Sequence, residues 1–166
     1  MAIQVSDENL KKASQIDADA FLKVFYDAYN SATKGDINAS TMSILNGWQN
    51  SLMAYFIFRE EVMQGGFIQL IQNGYGSYIF HNPFARVLKI FGADELSKLV
   101  YKAREIYDAN KTDLERETTE EEFHAMYENY EGFDELEERF FEIEENCTNA
   151  IAYYVDSHLE DFAEIK

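Results

Sequence analysis

A chain of 166 residues is long enough to bury one substantial core, and the expected organisation is one domain over residues 1–166. Its 46% apolar content, with 13 Phe and 11 Tyr, excludes a disordered acidic tail despite a net charge of −17. The lone Cys147 excludes an intramolecular disulfide framework and fits a reducing compartment.

The N-terminal MAIQVSDENLKK has no basic stretch followed by an apolar one, so no signal peptide is expected. In residues 17–30, Phe21, Val24, Phe25, Ala28 and Tyr29 recur at spacings of three and four, the mark of an amphipathic helix. Asp17 and Asp19 lie near its start, where carboxylates suit the helix dipole. A second long pattern covers 40–63 through Ile44, Leu45, Trp48, Leu52, Tyr55, Phe56, Phe58 and Val62, with Ser40 as the expected N-cap. Its most apolar run, LMAYFIF at 52–58, is too short to span a bilayer, so no membrane partner is expected and the protein reads as cytoplasmic. QGGF at 64–67 is expected to break this helix, and a short apolar helix follows, ended by Asn73-Gly74. Pro83 precedes FARVLKIFG, which Gly92 terminates. From 93 to 110, Leu96, Leu99, Val100, Ala103, Ile106 and Tyr107 share one face.

The polar segment 111–119 reads as a loop. Thr118 or Thr119 then caps a helix at 118–131 whose inner residues are Phe123, Met126, Tyr127 and Tyr130. A last helix is expected from 133 to 162, with Phe133, Leu136, Phe140, Ile143, Cys147, Ala150, Ile151, Tyr154, Val155, Leu159 and Phe162 on its inner stripe. No run of period-two strands stands out. The fold expectation is therefore all-α: a compact helical bundle with acidic C-terminal helices, the last two lying antiparallel as neighbours of the earlier bundle.

The acid is concentrated at one end. Residues 1–112 carry 12 acids and 11 bases, whereas residues 113–166 carry 19 acids against Arg116, Arg139 and Lys166. Such asymmetry exceeds what solubility requires and points to a basic partner or cations. Residues 134–145 alone hold seven acids and one base. Asp134, Glu135, Glu137, Glu138, Glu142, Glu144 and Glu145 should occupy the circumference left free by the inner stripe. Burying large apolar side chains at about 1.5–3 kcal/mol each outweighs repulsions of about 0.2–0.5 kcal/mol per exposed pair. Tertiary packing can therefore hold this helix in spite of its charge.

Other chemistries lack their residues. The histidines 81, 124 and 158 are scattered, and Glu121-x-x-His124 is half of a di-iron motif that has no second half. DANKTDLERETT at 108–119 places Asp113 where a calcium loop requires glycine and Thr119 where it requires glutamate. Cys147 falls on an apolar stripe, which suits a buried hydrophobe better than a nucleophile. The Gly-rich stretch at 65–76 carries no base to meet phosphate. No enzyme, metal site or cofactor is expected, and with no basic patch, no direct nucleic-acid binding.

As a helix, residues 134–145 span roughly 18 Å, about one net charge per 3 Å. Duplex DNA carries one per about 1.7 Å of axis, so two such helices side by side approach it. The candidate phosphate-mimicking residues are Glu117, Glu120, Glu121, Glu128 and Glu131 around the first acidic helix, with Asp134, Glu135, Glu138, Glu142 and Glu145 on the second. Glu135, Glu138, Glu142 and Glu145 should form one exposed ridge. A merely solvated acidic face is the bland alternative.

The middle of the chain carries a resemblance. VMQGGFIQLIQNGYG (62–76) and PFARVLKIFGADELSKLVYKAREIY (83–107), through Gly65, Gly66, Phe67, Gln69, Asn73, Gly74, Gly92 and Ala93, resemble the bacterial acidic helical family of the neisserial DNA-mimic protein. The similarity covers roughly residues 40–160. It implies a non-enzymatic cytoplasmic protein that binds and inhibits a DNA-binding protein. The implied partner is a helix-turn-helix transcription factor, and a homodimer is among the assemblies to be considered. The matching residues are structural turns, so the acidic helices must carry any mimicry. The alternative is an acidic adaptor or immunity protein whose basic partner does not bind DNA.

Overall fold

Side-chain caps set most helix starts. Ser6 and Asp17 turn an oxygen onto the first free amides of α1 (Asp7–Ser14) and α2 (Ala18–Thr33), at 3.2 and 2.7 Å. Reciprocal capping boxes start α3 (Ala39–Met42) at Asn38 and α4 (Gly47–Gln72) at Asn46. The expected cap Ser40 lies inside α3 instead, because the carboxamide of Asn38 already meets the amide of Thr41. Two short helices follow, α5 (Gly76–Phe80) and α6 (Phe84–Ile90), and then α7 (Asp94–Glu115), α8 (Glu120–Asn129), α9 (Gly132–Ser157) and α10 (Leu159–Phe162). The structure, a computed structural model, describes residues 2–166.

The all-α expectation holds. One small exception is a parallel pair of two-residue strands, β1 (Gln4–Val5) and β2 (Glu164–Ile165), which joins the two ends of the chain. Strands this short carry no readable alternation. Glu164 N–H donates to Ile3 C=O at 2.8 Å and Lys166 N–H to Val5 C=O at 3.0 Å. Just before β2, the carbonyl of buried Phe162 accepts from both Tyr29 Oη (2.8 Å) and Gln49 Nε2 (2.9 Å).

Helix α9 is the spine. It runs antiparallel to α4, as three cross-contacts show: Tyr55 Oη to Thr148 (2.6 Å), Arg59 to Glu144 (3.4 Å) and Phe67 N–H to Glu137 (2.8 Å). It is also antiparallel to α7, with Arg139 on Glu95 (2.6 Å) and Ile106 against Gly132. Between α4 and α9 the aromatic rings interlock. Phe58 meets Phe140 edge-on at 5.1 Å, and Phe67 stacks on Phe133 at 5.2 Å. Phe133, Phe140, Ile143, Cys147, Ile151 and Val155 are buried as the stripe requires, while Leu136 is half-buried at its edge.

QGGF interrupts α4 as expected: Gly66 leaves helical geometry (φ 73, ψ −170), so two helical stretches meet at a kink and the second resumes at Phe67. Three other expectations are corrected. Segment 111–119 is helical to Glu115, with a kink at Asn110, because Leu114 is buried and prolongs the apolar stripe. The last helix divides at His158 into α9 and α10. Finally, α8 and α9 do not lie side by side. They meet at a corner, Tyr130–Glu131, and diverge from it. Helix α8 is held chiefly through Met126, which is fully buried, and through Tyr127 Oη, which donates to Gly65 C=O at 2.7 Å.

Gly66 therefore serves two acidic helices. Its backbone lies in a region essentially reserved for glycine. A Cβ there would stand 2.3 Å from the Glu137 carboxylate. The kink frees the Phe67 amide, and Glu137 accepts its hydrogen bond. Gly66→Ala should therefore lower stability by at least about 1–3 kcal/mol from backbone strain alone. Urea unfolding followed by circular dichroism would show this as a lower midpoint, and an unchanged midpoint would remove the constraint.

Candidate acidic interface

The ten candidate carboxylates occupy three settings. Glu117 sits in the connection between α7 and α8. Gln72 holds that connection by donating to the carbonyls of Leu114 and Arg116 and accepting from Thr118 Oγ1. Thr119 caps α8 in a capping box with Glu122, which also pairs with Arg116 at 2.7 Å. Glu122 is thus fixed in place, and its neighbours Glu120 and Glu121 face solvent. Glu128 and Glu131 lie on either side of the α8–α9 corner, which Tyr130 fastens by donating to Asp113. Asp134, Glu135, Glu138, Glu142 and Glu145 follow along α9.

All ten are exposed. Among the described residues, Glu117, Glu121, Glu128, Glu131, Asp134, Glu135, Glu138 and Glu145 form no ion pair. Glu142 pairs with Arg139 at 2.6 Å, and Glu120 stands 3.9 Å from His124. On α9, Glu135, Glu138, Glu142 and Glu145 recur at steps of three and four. Ten helical steps of 1.5 Å place these four charges along about 15 Å, one per roughly 5 Å. One strand of duplex DNA carries a charge per about 3.4 Å of axis. The ridge is sparser than DNA but of the same order, and it is a row rather than a diffuse cloud.

Two acids expected on this surface are not part of it. Glu137 and Glu144 are half-buried and face α4. Glu144 joins Asp19 in holding Arg59, whose guanidinium also lies 5.0 Å from the Phe56 ring centre. Burial pushes the Glu137 carboxyl above the usual carboxylate range, offset by the Phe67 amide and reinforced by Asp134. On the helix circumference these two positions fall on the flank that meets α4, so the pattern could have indicated them. What it lacked was the partner: a freed amide inside α4 and an arginine about two turns before it.

Other candidate chemistry stays structural. Burial raises the Cys147 thiol to about 11, so it is little ionised near neutrality. The calcium-like stretch 108–119 is mostly the C-terminal part of α7, and His124 is exposed and lies flat against Phe123. Among the described residues, no group of three or more His, Cys, Asp or Glu side chains is placed to hold a metal ion. Among them also, no helix is long and apolar enough to cross a membrane.

The family described as DMP19-like protein matches residues 43–158, from just before α4 to the end of α9. The chain is also similar to the DNA mimic protein DMP19 of Neisseria meningitidis serogroup B. The two are 29% identical over 154 residues, covering 91% of this chain and 92% of that relative.

The Glu137 contact has a testable pH signature. Its folded-state pKa is raised, so the folded protein holds this proton more tightly than the unfolded chain. Its contribution to stability is therefore fully present below the ordinary glutamate range and is lost as pH rises through the raised value. Glu137→Gln keeps an acceptor for the Phe67 amide and removes the buried charge. It should match the native protein at pH below 4 and melt higher at pH 7, whereas Glu137→Leu, which orphans the amide, should melt lower at both. Thermal melts of the three proteins at the two pH values decide the matter.

Proposed function

The chain belongs to the DMP19-like protein family, and we propose that it works as a DNA mimic, binding a DNA-binding protein and keeping it from its site. The observation that carries this reading is the row of exposed carboxylates on α9, of which only Glu142 has a cation among the described residues, continued round the corner by Glu131 and Glu128. A DNA-binding surface is built from Lys and Arg placed to meet phosphates. A folded acidic ridge meets the same bases without the need to order a chain first. The similarity to a relative named as a DNA mimic supports the same direction. A helix-turn-helix regulator is the partner of choice, because its DNA-reading face is convex and a single ridge with a corner can lie across it. Glu117, Glu120, Glu121, Glu128, Glu131, Asp134, Glu135, Glu138, Glu142 and Glu145 would stand in for phosphates. No substrate or cofactor enters this function, and the work is competitive occupancy inside the cell.

The test uses the ridge itself. The triple variant Glu135→Lys, Glu138→Lys, Glu145→Lys leaves the Glu142–Arg139 pair intact and replaces glutamate by a residue of similar helix propensity. It should fold as the native protein does, by circular dichroism and thermal melt. Native protein immobilised on a column should capture DNA-binding proteins from a lysate and release them to duplex DNA. The triple variant should capture almost none, and Glu105→Lys, an exposed change on α7, should behave as native. Capture that duplex DNA cannot displace would instead favour a basic partner that does not bind DNA. Association should slow steeply with added salt, as for any encounter steered by charge. A salt-independent association rate would remove the electrostatic reading.

A further inference from the structure

The line of the α9 ridge continues through Asn149 to Asp156, and there it meets a groove that charge counting does not reveal. The groove, about 380 Å³, lies between the C-terminal half of α9 and the start of α2. Phe21, Ala18 and Ala152 line it with apolar surface, Asp17 and Asp156 add carboxylates, and Tyr153 forms part of the wall. Tyr153 is 78% exposed, and neighbouring Ile16 is 74% exposed, the two most exposed large apolar side chains described. Neither carboxylate has an ion partner among the described residues. One oxygen of Asp17 caps α2 through Ala20 N–H, which leaves the other free. The nearest bases in sequence, Lys11, Lys12 and Lys23, are engaged with Asp7, Glu8 and Asp27 at 2.9, 3.0 and 2.8 Å.

We propose that this groove receives an arginine side chain of the partner, a reading that rests on the partner being basic as argued above. Each part of the arginine finds a counterpart. Its methylene stem lies over Phe21, Ala18 and Ala152, its planar cation stacks on the open Tyr153 ring, and its forked donors reach Asp17 and Asp156. A lysine ammonium would gain the charge but not the stacking or the fork. A metal ion would be badly served by apolar walls and an aromatic ring. The ridge supplies attraction at a distance, and the groove supplies an anchor, since aromatic and arginine contacts in desolvated pockets dominate binding energy.

The test titrates the isotope-labelled full chain with blocked tetra-arginine and tetra-lysine peptides as probes, followed by amide chemical shifts. Tetra-arginine should shift the amides of Ala18, Phe21, Ala152, Tyr153 and Asp156, and bind there about two- to fivefold tighter than tetra-lysine. Tyr153→Leu should abolish that preference. Asp156→Asn should weaken both peptides at the groove, as should Asp17→Asn, which keeps a good N-cap. Equal binding of the two peptides at these amides, shifts confined to residues 135–145, or a preference that survives Tyr153→Leu would each overturn the proposal. Such a failure is separable from failure of the mimic reading, because capture and release by duplex DNA, with the ridge reversal as control, report on that reading alone.

Discussion

One hydrogen bond sets the arrangement of the acidic half: the Phe67 amide, freed by the kink at Gly66, donating to the Glu137 carboxylate. A helix interior has no spare amide to offer a neighbour, because each is bonded one turn back. By stepping out of helical geometry for one residue, α4 exposes a donor in mid-length, and α9 fills it from its acidic supply. The neighbouring carbonyl of Gly65 takes Tyr127 of α8. A single irregular turn thus holds both acidic helices, and the rings of Phe67 and Phe133 stack directly beneath it. The GGF sequence is where the scaffold and the charged surface are joined.

The charge on α9 is divided by function around its circumference. Carboxylates facing α4 are bound to an amide or to Arg59, and on the outward ridge Glu142 shares Arg139 with Glu95 of α7. Among the described residues, the other ridge positions, Glu135, Glu138 and Glu145, are left without cations. A helix selected for stability alone would place lysines there at spacings of four, gaining a few tenths of a kcal/mol per pair. The chain forgoes this, while α1 uses it twice, with Lys11 on Asp7 and Lys12 on Glu8. The contrast within one molecule shows that the absence of bases on the ridge is local.

Long amphipathic helices were legible in the sequence because burial imposes a period of 3.6 on the core residues, and the stripes at 93–110 and 133–155 fall where the structure has them. The exposed positions of the ridge were legible for the same reason, being the complement of those stripes. What stayed hidden depends on partners distant in sequence. Glycine at 66 reads as a break, and the structure has one there, but the acceptor of the amide it frees, Glu137, lies seventy residues on. The division between α8 and α9 reads as a mere turn, and its geometry rests on Asp113 meeting Tyr130. The β1–β2 pair consists of four residues with no pattern of their own, and the groove at Tyr153 forms only when α2 is laid against α9.

The pairing of β1 with β2 has a mechanical consequence. Because the strands are parallel, pulling the N-terminus and the C-terminus apart loads their hydrogen bonds together in shear instead of opening them one at a time. Behind that clasp, the carbonyl of Phe162 is gripped by Tyr29 and Gln49, so a pull on the last residues is transmitted at once to α2 and α4. An unfoldase that grasps the C-terminal tail would have to break the clasp and this buried anchor before it could peel α9. The lifetime of the folded chain under such a pull is then governed by the rate of that first rupture more than by the overall folding equilibrium.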